Sequence, residues 1–191
     1  MWDFFETVHR RHSIRKYHPD MAVETEKLHA ILNTACAAPS AGDLQAYRIV
    51  VITDRVTRAA LSEAASGQRF IAEAPVCLVF CCDRERSAQE FGERGQSLYA
   101  LQDATIAAAY AQLAVVAAGM GSTWVGYFDA SGVRAALGLG EGLEPVAMLS
   151  LGYPAEVPEL SPRRRMDDIV QWHGTPPGSR ERAQQRSERE G

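Results

Sequence analysis

QDATIAAAYAQLAVVAAGMGSTWVGYF, residues 102–128, is the stretch on which the fold turns. From Ala104 to Met120 it is a run of small and apolar residues interrupted by Thr105, Tyr110 and Gln112. That length is marginal for a bilayer span and alanine is only weakly hydrophobic, so the run reads as a helix buried in protein. Gly119 and Gly121 stop it, because glycine suits the residue just past a helix. Asp103 stands where an acidic side chain could help start it, and STWVGYF then gives a strand or extended turn.

Working outward, PVCLVFCC (75–82) reads as a buried strand, and YRIVVITD (47–54) as another strand. A helix is expected near Thr57 to Ala65, and one from Thr25 through Leu28, Ile31, Leu32 and Ala35, ending before Pro39. Residues 2–11 carry Phe4, Phe5 and Val8 at helical spacing and read as a short amphipathic helix. Asp83 to Gly95 is charged and glycine-bearing, which suggests an exposed excursion or lid. VRAALGL (133–139) predicts a short helix, and PVAMLSLGYP (145–154) a last strand closed by Pro154. Strands alternate with helices but are separated by long helical insertions. This points to an α+β sandwich rather than a regular doubly wound sheet.

With 191 residues, 46% hydrophobic and 23% charged, the chain has the composition of one globular domain, residues 1–173, with a polar tail over 174–191 that reads as disordered or solvated. A net charge of −4 gives no general attraction to nucleic acid or to anionic lipid. The four cysteines lack CxxC spacing and paired histidines, so no metal site is expected, and Cys77 and Cys81 read as buried small hydrophobes. That usage, with an N-terminus lacking the apolar core of a signal peptide, points to the cytoplasm.

Four segments carry polar chemistry. RRHSIRKYHP (10–19) places Arg10, Arg11, His12, Ser13 and Arg15 within six residues, a donor set suited to phosphate, although a solvated basic turn has the same composition. APSAGDLQAY (38–47) is a loop of small residues that lets a planar ligand approach the backbone, with Asp43 and Gln45 as polar groups; an ordinary capped turn is the plainer reading. GMGSTWVGYFD (119–129) brings backbone N–H groups close to whatever lies beside it. SPRRRMDDIV (161–170) holds Arg163, Arg164 and Arg165 after the last strand, by default a solvated run. GLGEG (138–142) is not a dinucleotide loop, since it neither follows a strand nor opens a long helix.

Taken together and in this order, the four segments resemble the FMN-dependent nitroreductase family, from about Phe4 to Trp172. The resemblance implies an intertwined homodimer built on the long central helix, an α+β fold with an antiparallel-type sheet flanked by helices, and FMN between the subunits. It implies that Arg11, His12, Ser13 and Arg15 bind the phosphate, ribityl chain and pyrimidine edge, with Arg163, Arg164 or Arg165 closing on the phosphate. Pro39, Ser40 and Ala41, with Asp43, would come from the partner chain to flank the isoalloxazine. Val125 and Gly126 would direct a backbone N–H at flavin N5, and Gln68 would contact the ribityl or ring. The implied activity is NAD(P)H oxidation with ping-pong reduction of nitroaromatic, quinone or similar small acceptors. Hydride passes through the flavin, so no side chain serves as acid, base or nucleophile. The chain departs from the family pattern at Asp43, where Asn is usual, and at Ala46 and Tyr47 in place of Pro and Trp. Other readings of the same fold are flavin fragmentation, reductive dehalogenation and a non-catalytic FMN-binding module.

Overall fold

The computed structural model describes residues 3–159 and 161–174. The chain divides into two units, Met1–Pro158 and Glu159–Gly191. The first holds a four-stranded sheet of β1 (Tyr47–Ile52), β2 (Val76–Asp83), β3 (Gly121–Val125) and β4 (Leu143–Gly152). Its order is β1-β2-β4-β3 and every pairing is antiparallel. Around it run α1 (Phe4–Arg10), α2 (Thr25–Cys36), α3 (Arg55–Ala64), α4 (Phe70–Glu73), α5 (Arg84–Arg94), α6 (Ala100–Ala117) and α7 (Ala130–Leu137). In the second unit a single 3₁₀ turn, Met166–Asp168, is described.

Helices cover both faces of the sheet, which is why β2 reads as an unbroken apolar run. Val76, Leu78 and Phe80 face Ile31 and Ala35 of α2 and Ala107, Ala111 and Val115 of α6. Cys77, Val79 and Cys81, pointing the other way, pack with Leu61 of α3, Ile71 of α4 and Val133 of α7. Pro145 sits in the central strand β4, yet its missing N–H costs little. It lies opposite Cys81 at a register shift, on a stretch of β4 that β3 does not reach.

Burial pushes the Cys77 and Cys81 thiols up to about 12, and that of Cys82 upward as well, whereas Cys36 is exposed on α2. Since the thiolate is the reactive form, a disulfide reagent at mildly alkaline pH should modify one thiol in the native protein and all four after denaturation. Rapid modification of Cys77 in the native state would contradict the packing of β2.

Two sequence expectations change. Asp83 to Gly95 is largely helical, as α5, with Asp83 capping it through the Arg86 N–H. A break at Gly92 (φ 58°, ψ −143°) and a π turn over Gly95–Tyr99 then lead directly into α6. Asp103 therefore lies in the first turn of α6, with the π turn running straight into it. In α1, Phe4 and Phe5 are 66% and 73% exposed and Val8 is also exposed, so the apolar stripe exists but the described residues do not bury it.

α6 shows the same property on a larger scale. Ala104, Ala107, Ala108, Ala111 and Val115 are fully buried, and their small side chains bring the helix close to the sheet. The opposite side, through Leu101, Gln102, Ala109, Tyr110 and Ala117, is exposed although it carries no charge. The continuous run Arg84–Ala117 is long and apolar enough to cross a bilayer, but half of its most apolar window is buried inside the protein.

Candidate functional site

After α1 the basic segment lies along the start of β3. The Ile14 N–H donates to the Ser122 carbonyl at 3.0 Å, and Ser13 bridges Ser122 in parallel register. The Thr123 hydroxyl donates to the Ile14 carbonyl. Tyr17 fixes the far end: its hydroxyl is 2.6 Å from the Ile14 carbonyl and 2.9 Å from Ser150 Oγ. Burial pushes Tyr17 up to about 12, so it stays a neutral donor. A Cβ on Gly121 would come within 2.5 Å of Ile14 Cγ1, so only glycine allows this approach. With Ile14 and Tyr17 turned inward, Arg11, His12 and Ser13 are half-buried and Arg15 is exposed.

Arg15 connects this segment to the next. Its guanidinium lies 5.9 Å from the centre of the Phe70 ring on α4, while its backbone N–H donates to Glu156 Oε1 at 2.6 Å. The Lys16 N–H shares that acceptor at 3.1 Å. Two residues before Phe70, the Gln68 amide donates to the carbonyls of Ala65 and Tyr127 at 2.9 and 3.2 Å. Gln68 thus holds the exit of β3, where Val125 is buried and Gly126 exposed. With both of its donors engaged, the group Gln68 can offer a ligand is its carbonyl oxygen. Arg11, His12, Ser13, Arg15, Gln68, Val125 and Gly126 therefore belong to one neighbourhood organised by β3. The hydroxyl of Ser122, opposite Ser13, is buried there with no partner among the described residues.

The small-residue loop lies elsewhere. Ala41–Asp43 forms a 3₁₀ turn whose Gly42 has φ +54°, and Asp43 and Gln45 also take left-handed backbone at φ 56° and 46°. A Cβ on Gly42 would meet Phe91 Cζ at 2.7 Å, so the ring of α5 closes directly over the glycine. Asp43 Oδ1 accepts from the Gln45 side-chain amide at 2.6 Å, and Ser40 Oγ accepts the Gln45 N–H at 3.0 Å. Asp43, the departure from the family's Asn, is thus used as an acceptor inside its own loop. Pro39 is exposed and Ser40 and Ala41 are half-buried. Ala41 is fastened to α6, its N–H donating to Asp103 Oδ1 at 2.9 Å.

Asp103 is in the first turn of α6, and β3 follows its last turn. At 1.5 Å of rise per residue, the helix between Asp103 and Ala117 is about 21 Å long. One chain therefore places the basic segment and the small-residue loop toward opposite ends of its central helix.

Arg163, Arg164 and Arg165 lie in the second unit. There Arg164 donates to the Asp168 carbonyl at 2.5 Å, and exposed Arg165 is 3.5 Å from Asp167. Sequence reasoning passed over Tyr17, Thr123, Phe70 and Glu156 as parts of this neighbourhood. Their contacts join residues far apart in the chain, and none has a local signature. Asp103 did carry a signal: it is the lone charge in an otherwise uncharged helix.

Residues 8–69 and 63–153 match the family model described as the Nitroreductase family. Among curated proteins, the chain is 36% identical over 190 residues to an NADH dehydrogenase of Thermus thermophilus, covering 85% of this chain and 92% of that one. It is 31% identical over 165 residues to an oxygen-insensitive NADPH nitroreductase of Salmonella typhimurium, covering 83% and 68%. Among solved structures, the NADPH:FMN oxidoreductase from Vibrio harveyi complexed with NAD⁺ superposes with a TM-score of 0.81 at 28% identity, over 95% of this chain and 81% of that one.

Proposed function

The chain belongs to the nitroreductase family, and from that premise we propose that it is an FMN-dependent NAD(P)H oxidoreductase whose two flavin sites lie between the subunits of a homodimer. The observation that carries this reading is the separation of the two binding segments along α6, together with the uncharged, uncovered side of that helix. A second copy laid antiparallel on this side brings its own Asp103 end beside the Ala117 end of the first. Two-fold symmetry then completes two sites at once.

The residues suit the cofactor. Arg11 and Arg15 supply charge, Ser13 a hydroxyl, and β3 a backbone edge, which is the donor set an alkyl phosphate and its polyol chain need. Pro39, Ser40 and Ala41 of the second copy present a low surface against which a planar ring can lie. Val125 and Gly126 supply backbone N–H groups for the ring edge and Gln68 a carbonyl oxygen. Bound FMN supplies the redox chemistry, accepting hydride at N5 from NADH or NADPH and giving electrons to a nitroaromatic, quinone or similar small acceptor in a second half-reaction. The chain's part is to hold the ring against the wall of the second copy, offer donors where negative charge gathers on reduction, and leave the other ring face open for two successive ligands. The free thiols suit the reducing cytoplasm.

The test is spectroscopic. Purified protein supplemented with FMN should show an oxidised-flavin band that bleaches anaerobically with NADH or NADPH and returns on adding a quinone or nitroaromatic. Failure to bind FMN would remove the proposal. Flavin that binds but is reduced by neither nucleotide would leave a binding module in its place.

A further inference from the structure

Asp103 has no part in the chemistry just described, yet it is the one charged residue of α6 and α6 buries it. It is 2% exposed, and Ala100 and Ala104 beside it on α6 belong to a fully buried apolar cluster with Ala46 and Cys82. A carboxylate in such a place is costly unless it is well hydrogen-bonded. Among the described residues its single partner is the backbone N–H of Ala41, 62 positions away in the chain, while Oδ2 is buried without one. That lone bond falls on the residue that opens the strained turn, ahead of the left-handed Gly42, Asp43 and Gln45.

The rest of the loop is held by other means. Phe91 covers Gly42, Arg86 Nε donates to the Leu44 carbonyl at 3.0 Å, and Ser40 and Asp43 accept from Gln45. Within the turn the Ser40 carbonyl accepts from the Asp43 N–H at 3.1 Å, but none of these contacts reaches the N–H side of the peptide between Ser40 and Ala41, which the flavin reading sets against the ring. Backbone in left-handed regions persists only where its surroundings over-determine it. We infer that Asp103 is a positioning residue: through the Ala41 N–H its carboxylate holds the Pro39–Ala41 wall in the shape that meets the isoalloxazine of the other subunit. This inference rests on the proposed flavin site.

Two variants test it. D103A removes the acceptor, and D103N keeps an oxygen that can still accept from Ala41. In the FMN-free protein, hydrogen exchange over Ala41–Leu44 should quicken in D103A while β2 and β4 keep their protection, and should stay close to wild type in D103N. FMN affinity, followed by flavin fluorescence, should fall about tenfold in D103A, the worth of one hydrogen bond to a charged group, and much less in D103N. Unchanged exchange and affinity in D103A would overturn the inference, as would a D103N that loses as much as D103A. Should D103A fail to fold, D103N decides: wild-type exchange and affinity uphold the clamp, and lost affinity in a folded protein refutes it. Wild-type protein that binds no FMN would sink the flavin reading, while the exchange comparison would still report on the clamp.

Discussion

R15A is expected to bind FMN roughly 30-fold more weakly than wild type, about 2 kcal/mol, the worth of a hydrogen bond between charged groups. The backbone at this position is held independently of the side chain. Its N–H is bonded to Glu156, and neighbouring Ile14 is bonded to Ser122 and covered by Gly121. Truncation therefore removes a guanidinium and leaves the segment where it was. The side chain is exposed and its recorded contact is the Phe70 face, an interaction that orients the group without neutralising it. Salt supplies a second readout, because charge recognition near the surface is screened over about 10 Å at 0.1 M ionic strength. Wild-type affinity should fall as salt is added, and R15A should respond less. R55A, on the exposed start of α3, is the control and should bind FMN as wild type does. Titration of flavin fluorescence decides the matter: an R15A affinity equal to that of R55A would move the phosphate away from this segment.

The parts of the fold that could be read in advance are those where one residue's environment repeats along an element. In β2, alternate residues face two apolar layers, so PVCLVFCC announces a buried strand. The Ala-rich α6 announces a helix against the sheet. α5 was hidden because Gly92 and a dense run of charges look like a loop, and because what it buries best is Ser87, a polar residue. At the site, the donor types of Arg11, Ser13 and Arg15 were visible in the chain. Their placement was not, since it depends on Tyr17 meeting Ser150 and Glu156 meeting Arg15 across more than a hundred residues. Phe4, Phe5 and the outer side of α6 were legible as apolar, but the described residues of this chain do not cover them.

That uncovered side gives the second large expected effect: A109E should separate the dimer and release its flavin. Ala109 is exposed, between Thr105 and Leu113 on the side of α6 away from the sheet, so the isolated chain can carry a glutamate there without disturbing its core. If this side packs on its two-fold copy, symmetry buries the new charge twice. At 3–5 kcal/mol for each buried, uncompensated charge, the dimer loses about 6 kcal/mol or more, some four powers of ten in Kd. Light scattering should then report a monomer at micromolar concentration, with thermal stability of the fold nearly kept. FMN should be lost along with the dimer, because the Asp103 end that completes each site has gone with the second copy. A59E, on the exposed side of α3, should leave both properties unchanged. A monomeric A109E that still holds FMN would place the whole site within one chain. A dimer that survives the substitution would show that α6 is not the contact, and either result would remove the antiparallel arrangement on which the shared site depends.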